Sequence, residues 1–405
     1  METITNGFRT FVKRSIVREE RVAKILILGE AGSIWTERCL QRSGTCQDNR
    51  IVLYTASDAL HEEFYVQNRI PVVRTKKSTG IMSKVPKIRT VGMVTDYISG
   101  IKAIVQENGD FDIVHVSFLQ REKMWSLKYL RKHTSKIVCT FWGSDLFREK
   151  ESRLKEYAFF FPYADAITFS TEEMKERFQY TYGHRFDDKL CRLRFGVSAL
   201  EQIATDEAKI KEAKSFCHIP SDKCCITVGY NGAAAQQHLR IIEALKETII
   251  RYRDRICLLI PFTYGGDSIY QKEIENVLQA CGCDYRIIDR YMNDRDLGML
   301  RMATDMFIHG QMTDALSASV QEYLYAGKLV FSPAWIPYRE LKQAGIYYIE
   351  YSSFEDLGMR VGHYLEQGPD PLEREQLFSN SQKIWKLSSW ESVSDGWKKL
   401  YSLQR

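Results

Sequence analysis

The sequence predicts an α/β protein made of two doubly wound domains that face each other across a deep cleft. Three observations predict it: two successive series of short apolar strand-like runs, amphipathic stretches alternating with those runs, and a length of 405 residues, more than one hydrophobic core usually organises. A hydrophobic content of 44% can fill both cores.

The first series opens at residues 24–29, Lys-Ile-Leu-Ile-Leu-Gly, a β-rich apolar run closed by glycine, which has the form of a buried parallel strand entering a turn. Similar strands are expected at 50–54, 111–116, 136–141 and 166–170, with helices at 95–107 and 121–133 between them. A polar, charged stretch at 201–215 separates the series, placing the hinge near 200–220 and dividing the chain into domains 1–205 and 206–384. The second series has strands at 225–229, 256–260, 285–288, 305–309, 329–331 and 347–350, with helices near 236–252, 268–280, 295–303 and 315–326. In open α/β sheets ligands bind beyond the carboxyl ends of the strands, so the loops after these strands are where chemistry is expected.

Composition narrows the function. A net charge of +5 is too small for a chain of this size to indicate nucleic-acid binding. No run of eighteen apolar residues and no signal-peptide core occurs, so a cytoplasmic protein is expected. Ten cysteines lack CxxC spacing and read as reduced thiols rather than zinc ligands. Asp110-Phe-Asp112 and Asp294-Arg-Asp296 imitate a metal signature but stand where elements begin, as caps do, so neither an essential metal nor a cofactor is expected. Residues 7–18 interleave Phe8, Phe11, Val12 and Ile16 with Arg9, Lys13, Arg14 and Arg18. That pattern suits a basic amphipathic helix on the inner face of the cell membrane, or equally a solvated leader packed on the domain.

The most informative segment runs from His309 to Gly327. A strand ends near His309, Gly310 opens a loop, Asp314 stands at the expected helix start, and Gly327 closes the helix. The first amides of such a helix, Ser317, Ala318 and Ser319 among them, suit the diphosphate of a sugar nucleotide. Glu322, eight residues beyond Asp314, is placed for a ribose hydroxyl pair, with Asp314 at the sugar end; ordinary capping is the alternative for Asp314. After the strand at 225–229, Gly229, Asn231 and Gly232 form a Rossmann-like glycine turn that brings backbone near phosphate, or else a plain tight turn. His238 follows in the first helical turn, near phosphate or on the helix surface. Tyr264, Tyr291 and His309 complete the donor-side candidates, and Arg240 or Lys328 is the candidate countercharge.

In the first half, Thr-Phe-Trp142-Gly-Ser-Asp145 follows a strand, and Asp145 is the candidate base for an acceptor hydroxyl, with helix capping as the alternative. Glu30 is the runner-up base, in the loop Gly29-Glu-Ala-Gly32-Ser33 that with Trp142 and His115 makes the acceptor-side set. His115, embedded in Ile-Val-His-Val, reads more readily as a satisfied core histidine beside the cleft.

These stretches resemble bacterial GT-B glycosyltransferases, and most nearly the family of the Fuc4NAc transferase of enterobacterial common antigen synthesis. The resemblance lies in Phe-Trp142-Gly-Ser-Asp145-Leu, in Val228-Gly-Tyr-Asn-Gly232 with His238, in Ile260-Pro-Phe-Thr-Tyr264, and in Leu300-Arg-Met-Ala-Thr-Asp305 through Gly327. Asp314-x7-Glu322 is similar to the paired carboxylates of glycosyltransferase family 4, with Asp in place of the usual first Glu. Where that family carries Arg and Lys for the diphosphate, this chain has Asn231, Gly232 and Gln236. Residues 390–401 are similar to the final GT-B helix, which implies that 385–405 packs back on the first domain. The resemblance implies a metal-independent glycosyltransferase that moves a sugar from a nucleotide-sugar donor to a glycan or lipid-linked acceptor in bacterial polysaccharide or glycolipid synthesis. A nucleotide-sugar epimerase or hydrolase, and a catalytically silent GT-B partner, are the rival readings.

Overall fold

The computed structural model describes residues 22–75, 86–204 and 206–402. The amphipathic stretch 7–18 lies outside the described residues. Two parallel sheets carry the architecture. The first contains β1 (Lys24–Leu28), β2 (Arg50–Thr55), β3 (Val72–Arg74), β4 (Phe111–Ser117), β5 (Thr134–Thr140), β6 (Ala166–Phe169) and β7 (Leu190–Arg192), in spatial order β3-β2-β1-β4-β5-β6-β7. The second contains β8 (Cys224–Val228), β9 (Ile256–Pro261), β10 (Asp284–Ile288), β11 (Met306–Ile308), β12 (Leu329–Pro333) and β13 (Ile349–Tyr351), in order β10-β9-β8-β11-β12-β13. Each sheet therefore reverses direction once, between β1 and β4 and between β8 and β11, and those switch points open the crevices that ligands use in such sheets.

The strands read as unbroken apolar runs because both of their faces are covered. Along β1, Leu26 and Leu28 enter one core with Val114, Val116 and Ile137, while Ile25 and Ile27 enter the opposite core with Leu53 and Ile113. The second sheet is divided in the same way, with Ile308 and Phe331 on one side and Phe307 and Val330 on the other.

The structure adds β3 and β7, three-residue edge strands with little burial, too short to produce a periodic signal. The single helix expected over 236–252 is two, His238–Ala244 and Lys246–Tyr252, meeting at Leu245. The helix expected from 315 begins at Ala318, with Ser317 rather than Asp314 as its N-cap.

After the helix Pro371–Ser388, the last helix, Trp390–Tyr401, leaves the second sheet and packs beneath the first. Trp390, Trp397 and Tyr401 join the core of Ile25 and Ile27, each burying enough ring to contribute about 1.5–3 kcal/mol. Their polar atoms are all satisfied: Trp390 Nε1 donates to Ser198 Oγ (3.0 Å), Trp397 Nε1 to Arg194 O (2.8 Å), and Tyr401 Oη meets His115 Nδ1 (2.7 Å). Position 196 must be glycine here, since a Cβ would lie 2.3 Å from the Trp390 ring.

Candidate functional site

Each side of the interdomain cleft has two loops beside its switch point: 29–33 after β1 and 118–120 after β4 in the first domain, 229–237 after β8 and 309–317 after β11 in the second. Backbone strain gathers in the loops around this cleft. Of the six non-glycine residues with positive φ among the described residues, Phe118 (62°), Gln237 (59°), Leu316 (100°) and Tyr338 (33°) belong to the loops after β4, β8, β11 and β12. Each such conformation costs on the order of 1–3 kcal/mol and persists where surrounding contacts enforce it.

The loop after β11 is built from nested caps. Asp314 Oδ2 accepts from Ser317 N (3.0 Å), and Ser317 Oγ accepts from Val320 N (3.3 Å), so each of two good capping residues closes one turn. Ala318 and Ser319 occupy the first helical positions, whose amides have no acceptor within a helix. Behind the loop, Tyr338 Oη donates to Asp314 Oδ2 and lies 2.9 Å from His309 Nε2. The tyrosine has one proton, which goes to the carboxylate, so His309 donates from Nε2 and leaves Nδ1, buried without a partner, as a bare acceptor. His309 lies at the end of β11, stacked between Tyr230 and Tyr338 with both centroids at 5.9 Å, and burial holds its pKa down to about 4. His309 thus supports the loop from inside rather than lining the cleft.

Glu322 is 3% exposed and has a partner that the sequence did not suggest. Arg301, 2% exposed, reaches Glu322 Oε2 from both Nε (2.9 Å) and Nη2 (2.8 Å), Tyr323 Oη from Nη1 (2.9 Å) and Ser319 Oγ from Nη2 (3.0 Å). Four of the five guanidinium protons are spent on this cluster, which fixes the start of the helix carrying Ser319.

After β8, Gly229 adopts φ +67°, and a Cβ there would lie 2.7 Å from His238 Nε2. His238 is consequently neither on the helix surface nor open to the cleft: it is fully buried beneath Gly229, its pKa lowered to about 4 by burial. Asn231 Oδ1 accepts from Ala233 N (3.0 Å) and Gly232 N donates to Tyr264 O (2.8 Å), which ties this loop to the exposed Tyr264. The exposed Tyr291 stands near His61, ring centroids 6.4 Å apart, at the opposite wall. Of the basic candidates, Arg240 stacks on Phe354 (4.4 Å) and donates to Gln237 Oε1 (2.8 Å), while Lys328 Nζ donates to Met302 O (2.9 Å) beside the start of β12, away from the cleft edge.

On the first domain, Asp145 is turned inward. Its Oδ1 accepts from Trp142 N (2.9 Å) and Gly143 N (3.0 Å), and its Oδ2 from Leu119 N (2.9 Å). The carboxyl is 3% exposed, and burial pushes its pKa up to about 6 against the pull of those amides. The hydrogen bonds describe a staple between the loops after β4 and β5, made from inside the helix Ser144–Phe147, whose N-cap is Gly143 and not Asp145. Glu30 differs: its side chain is 28% exposed and held by the buried Lys123 (3.0 Å), whose ammonium also donates to Ser117 O (3.0 Å) and Phe118 O (3.1 Å). Ser33 starts the helix Ile34–Arg42 without spending its hydroxyl on a cap. Gly29 and Gly32 keep the turn tight, a Cβ at Gly32 standing 2.9 Å from Asp58 O. Trp142 forms the side wall, stacked on Phe195 (4.1 Å) and edge-on to Trp35 (6.5 Å). His115 is no part of that wall: it sits in β4 between Thr140 Oγ1 (2.7 Å) and Tyr401 Oη, its pKa lowered to about 3 by burial and then by Lys123.

Three of the four carboxylates in the Asp-x-Asp stretches are committed elsewhere. Asp110 pairs with His133 (2.9 Å) and Asp112 accepts from Lys24 N (2.9 Å), at the edge where β4 begins, while Asp294 pairs with Arg38 across the cleft. Among the described residues no three His, Cys, Asp or Glu side chains converge as a metal site. No helix among them is long and apolar enough to cross a membrane.

The residues that the sequence reading missed, Arg301, Tyr338, Gln311 and Arg148, act over separations that no local pattern encodes. Gln311, with its amide nitrogen donating to Ala235 O (3.1 Å), accepts from Gln236 (3.1 Å), Tyr230 (3.2 Å) and Arg148 (3.3 Å), and so joins three loops.

No protein-family model matches this sequence, and a search of curated proteins finds no match. Solved structures do match. A glycosyltransferase from Rickettsia africae is 15% identical with a TM-score of 0.73, over 94% of this chain and 98% of that one. HepE of Anabaena, solved with UDP and glucose, is 14% identical with a TM-score of 0.72, over 94% and 100% of the two chains. WaaG, a glycosyltransferase involved in lipopolysaccharide biosynthesis, is 14% identical with a TM-score of 0.64, over 94% and 100%. The fold is therefore GT-B, two Rossmann-like domains facing across a cleft, and the matches do not single out the Fuc4NAc transferases.

Proposed function

We propose that the protein is a glycosyltransferase that takes a sugar from a nucleoside-diphosphate sugar held by its second domain and passes it to a glycan or lipid-linked acceptor held by its first. The observation that carries this reading is the loop after β11, whose nested caps spend the amides of Ser317 and Val320 but leave those of Ala318 and Ser319 without an acceptor in the helix, beside the switch point of the second sheet. The same fold binds UDP and UDP-glucose in HepE, which supports a nucleotide donor here.

In this reading the diphosphate rests on the Ala318 and Ser319 amides, and Glu322, whose Oε2 is committed to Arg301, offers Oε1 to the ribose. Asp314 holds the loop. Glu30, partly exposed and aimed by Lys123, takes the proton from the acceptor hydroxyl, since the oxygens of Asp145 already accept three amides. Trp35 and Trp142 give the acceptor a flat apolar wall. Protein groups, not a metal, neutralise the leaving group, a proposal that the prior commitments of both Asp-x-Asp stretches support. Bacterial polysaccharide or glycolipid assembly, with residues 7–18 touching the inner membrane face, is the setting that we propose.

A labelled nucleotide-sugar panel with lipid-linked acceptors tests the reading. Glu30→Gln should lower kcat by about a hundredfold or more, with a loss of about 1–3 kcal/mol because the buried Lys123 keeps an acceptor but not its countercharge, and Asp145→Asn should lower stability as well as rate. Donor consumption without acceptor would mark a hydrolase instead, and full activity in Glu30→Gln would remove Glu30 as the base.

A further inference from the structure

We propose that Arg148, although it belongs to the acceptor half, binds the donor's diphosphate, so that the donor site is complete only when the two halves are together. This rests on the donor reading above and adds the residue that supplies its missing charge.

A nucleoside diphosphate is an anion whose charge grows as the bond to the sugar breaks, and helix amides supply only part of the compensation. The second-domain cations that the sequence offers for this charge are otherwise engaged. Arg301 is sealed against Glu322 and Tyr323, Arg240 lies on the Phe354 ring, and Lys328 is buried on Met302 O. The loop after β8, where a basic side chain could have stood, has Asn231, Gly232 and Gln236.

The first domain fills the gap. The short helix Ser144–Phe147 begins at Gly143 (φ +114°), where a Cβ would lie only 2.8 Å from Ala315 Cβ, so the two domains touch backbone to side chain next to the donor loop. One residue past that helix, the exposed Arg148 extends its guanidinium over the same loop. Nη2 donates to Thr313 O (3.0 Å) and to the Gln311 amide oxygen (3.3 Å), and Nε to Thr313 Oγ1 (3.3 Å). All three acceptors are neutral, and Arg148 makes no ion pair with a carboxylate of the described residues. A phosphate presents the paired, charged acceptors that a planar guanidinium fits best, and would displace these weaker ones.

Titration calorimetry on the full chain tests this, with UDP, GDP, ADP and dTDP and the matching nucleoside monophosphates as probes. The diphosphate that binds the wild type should bind Arg148→Ala about tenfold or more weakly, with the monophosphate changed less than about twofold and Arg148→Lys intermediate. Because Arg148 is exposed, its variants should melt with the wild type, which separates binding from folding. Equal diphosphate affinity in wild type and Arg148→Ala overturns the inference while leaving the donor reading intact. An equal loss for both ligand classes also overturns it, because Arg148 would then be only a strut between domains. A wild type that binds none of the diphosphates sinks the donor reading and this inference with it.

Discussion

Replacing Glu322 by alanine removes the carboxylate from a buried pair and strands its partner. Arg301, 2% exposed, would keep only Ser319 Oγ and Tyr323 Oη for its guanidinium, neither of them charged. Breaking such a pair costs about 3–5 kcal/mol, most of it the burden of an uncompensated buried charge rather than the worth of the lost bonds. For a domain of this size, about 2–4 °C per kcal/mol translates that into a fall of about 6–20 °C in the melting temperature of the second domain. Glu322→Gln keeps an acceptor for Arg301 and loses only the charge, so it should fall by about 1–3 kcal/mol. The double variant Arg301→Met/Glu322→Leu removes both charges and should be more stable than Glu322→Ala alone. Chemical and thermal unfolding of the four proteins, with nucleotide binding measured on each, decides the matter. If Glu322→Ala unfolds within about 0.5 kcal/mol of the wild type, the pair is not the buried, desolvated contact described, and the reasoning from burial to cost fails.

Three further outcomes are expected. Gly143→Val should abolish most transfer and also cost on the order of 1–3 kcal/mol, since a side chain at φ +114° is strained and, 2.8 Å from Ala315, holds the domains apart; transfer rates and small-angle scattering would show it, and normal rates would refute it. Tyr338→Phe removes the hydroxyl shared by His309 and Asp314 and should cost about 1–3 kcal/mol while raising KM for the donor, both readable from melting curves and kinetics; unchanged KM would count against the support role of this residue. Acid should destabilise the fold between pH 6.5 and 4: His115, His238 and His309 have folded pKa values of about 3, 4 and 4, below the unfolded value, so their contribution is present above pH 6.5 and lost as pH falls. Asp145, raised to about 6, opposes them over the same window, leaving a net loss of stability on the order of 2–3 kcal/mol per pH unit near pH 5; a flat stability profile there would contradict the burial of these rings.

The positions of the loops after β1, β8 and β11 were legible in the sequence because each follows an apolar run with a glycine, whereas the loop after β4, Phe118-Leu119-Gln120, writes no such local signal. The directions of the side chains were not. Asp145 has the same sequence signature whether its carboxylate faces an acceptor or folds back on Trp142, Gly143 and Leu119; only the path of the loop after β4, 26 residues away, decides it. Asp314 and Ser317 are both favoured caps, and both are used, which moved the helix start by three residues. Glu322 is placed by its spacing for a ribose, whereas its protein partner Arg301 lies 21 residues back on another helix, beyond any local pattern. His238 and His309 looked available to a ligand because nothing in the sequence shows that Gly229 covers one ring and that Tyr230 and Tyr338 enclose the other.

The return of the last helix to the first domain means that the polypeptide passes between the halves twice, once near 197 and once near 388. These passages are fastened to each other: Val197 N donates to Ser388 O (2.8 Å) and Arg194 Nη2 to Ser388 Oγ (3.1 Å). Two tethers joined at one place leave the halves little freedom to slide or twist and confine their relative movement to a swing about that place. Loops far from the pivot then sweep the widest arcs, and a truncation before residue 390 would free the swing while uncovering the aromatic seat beneath the first sheet.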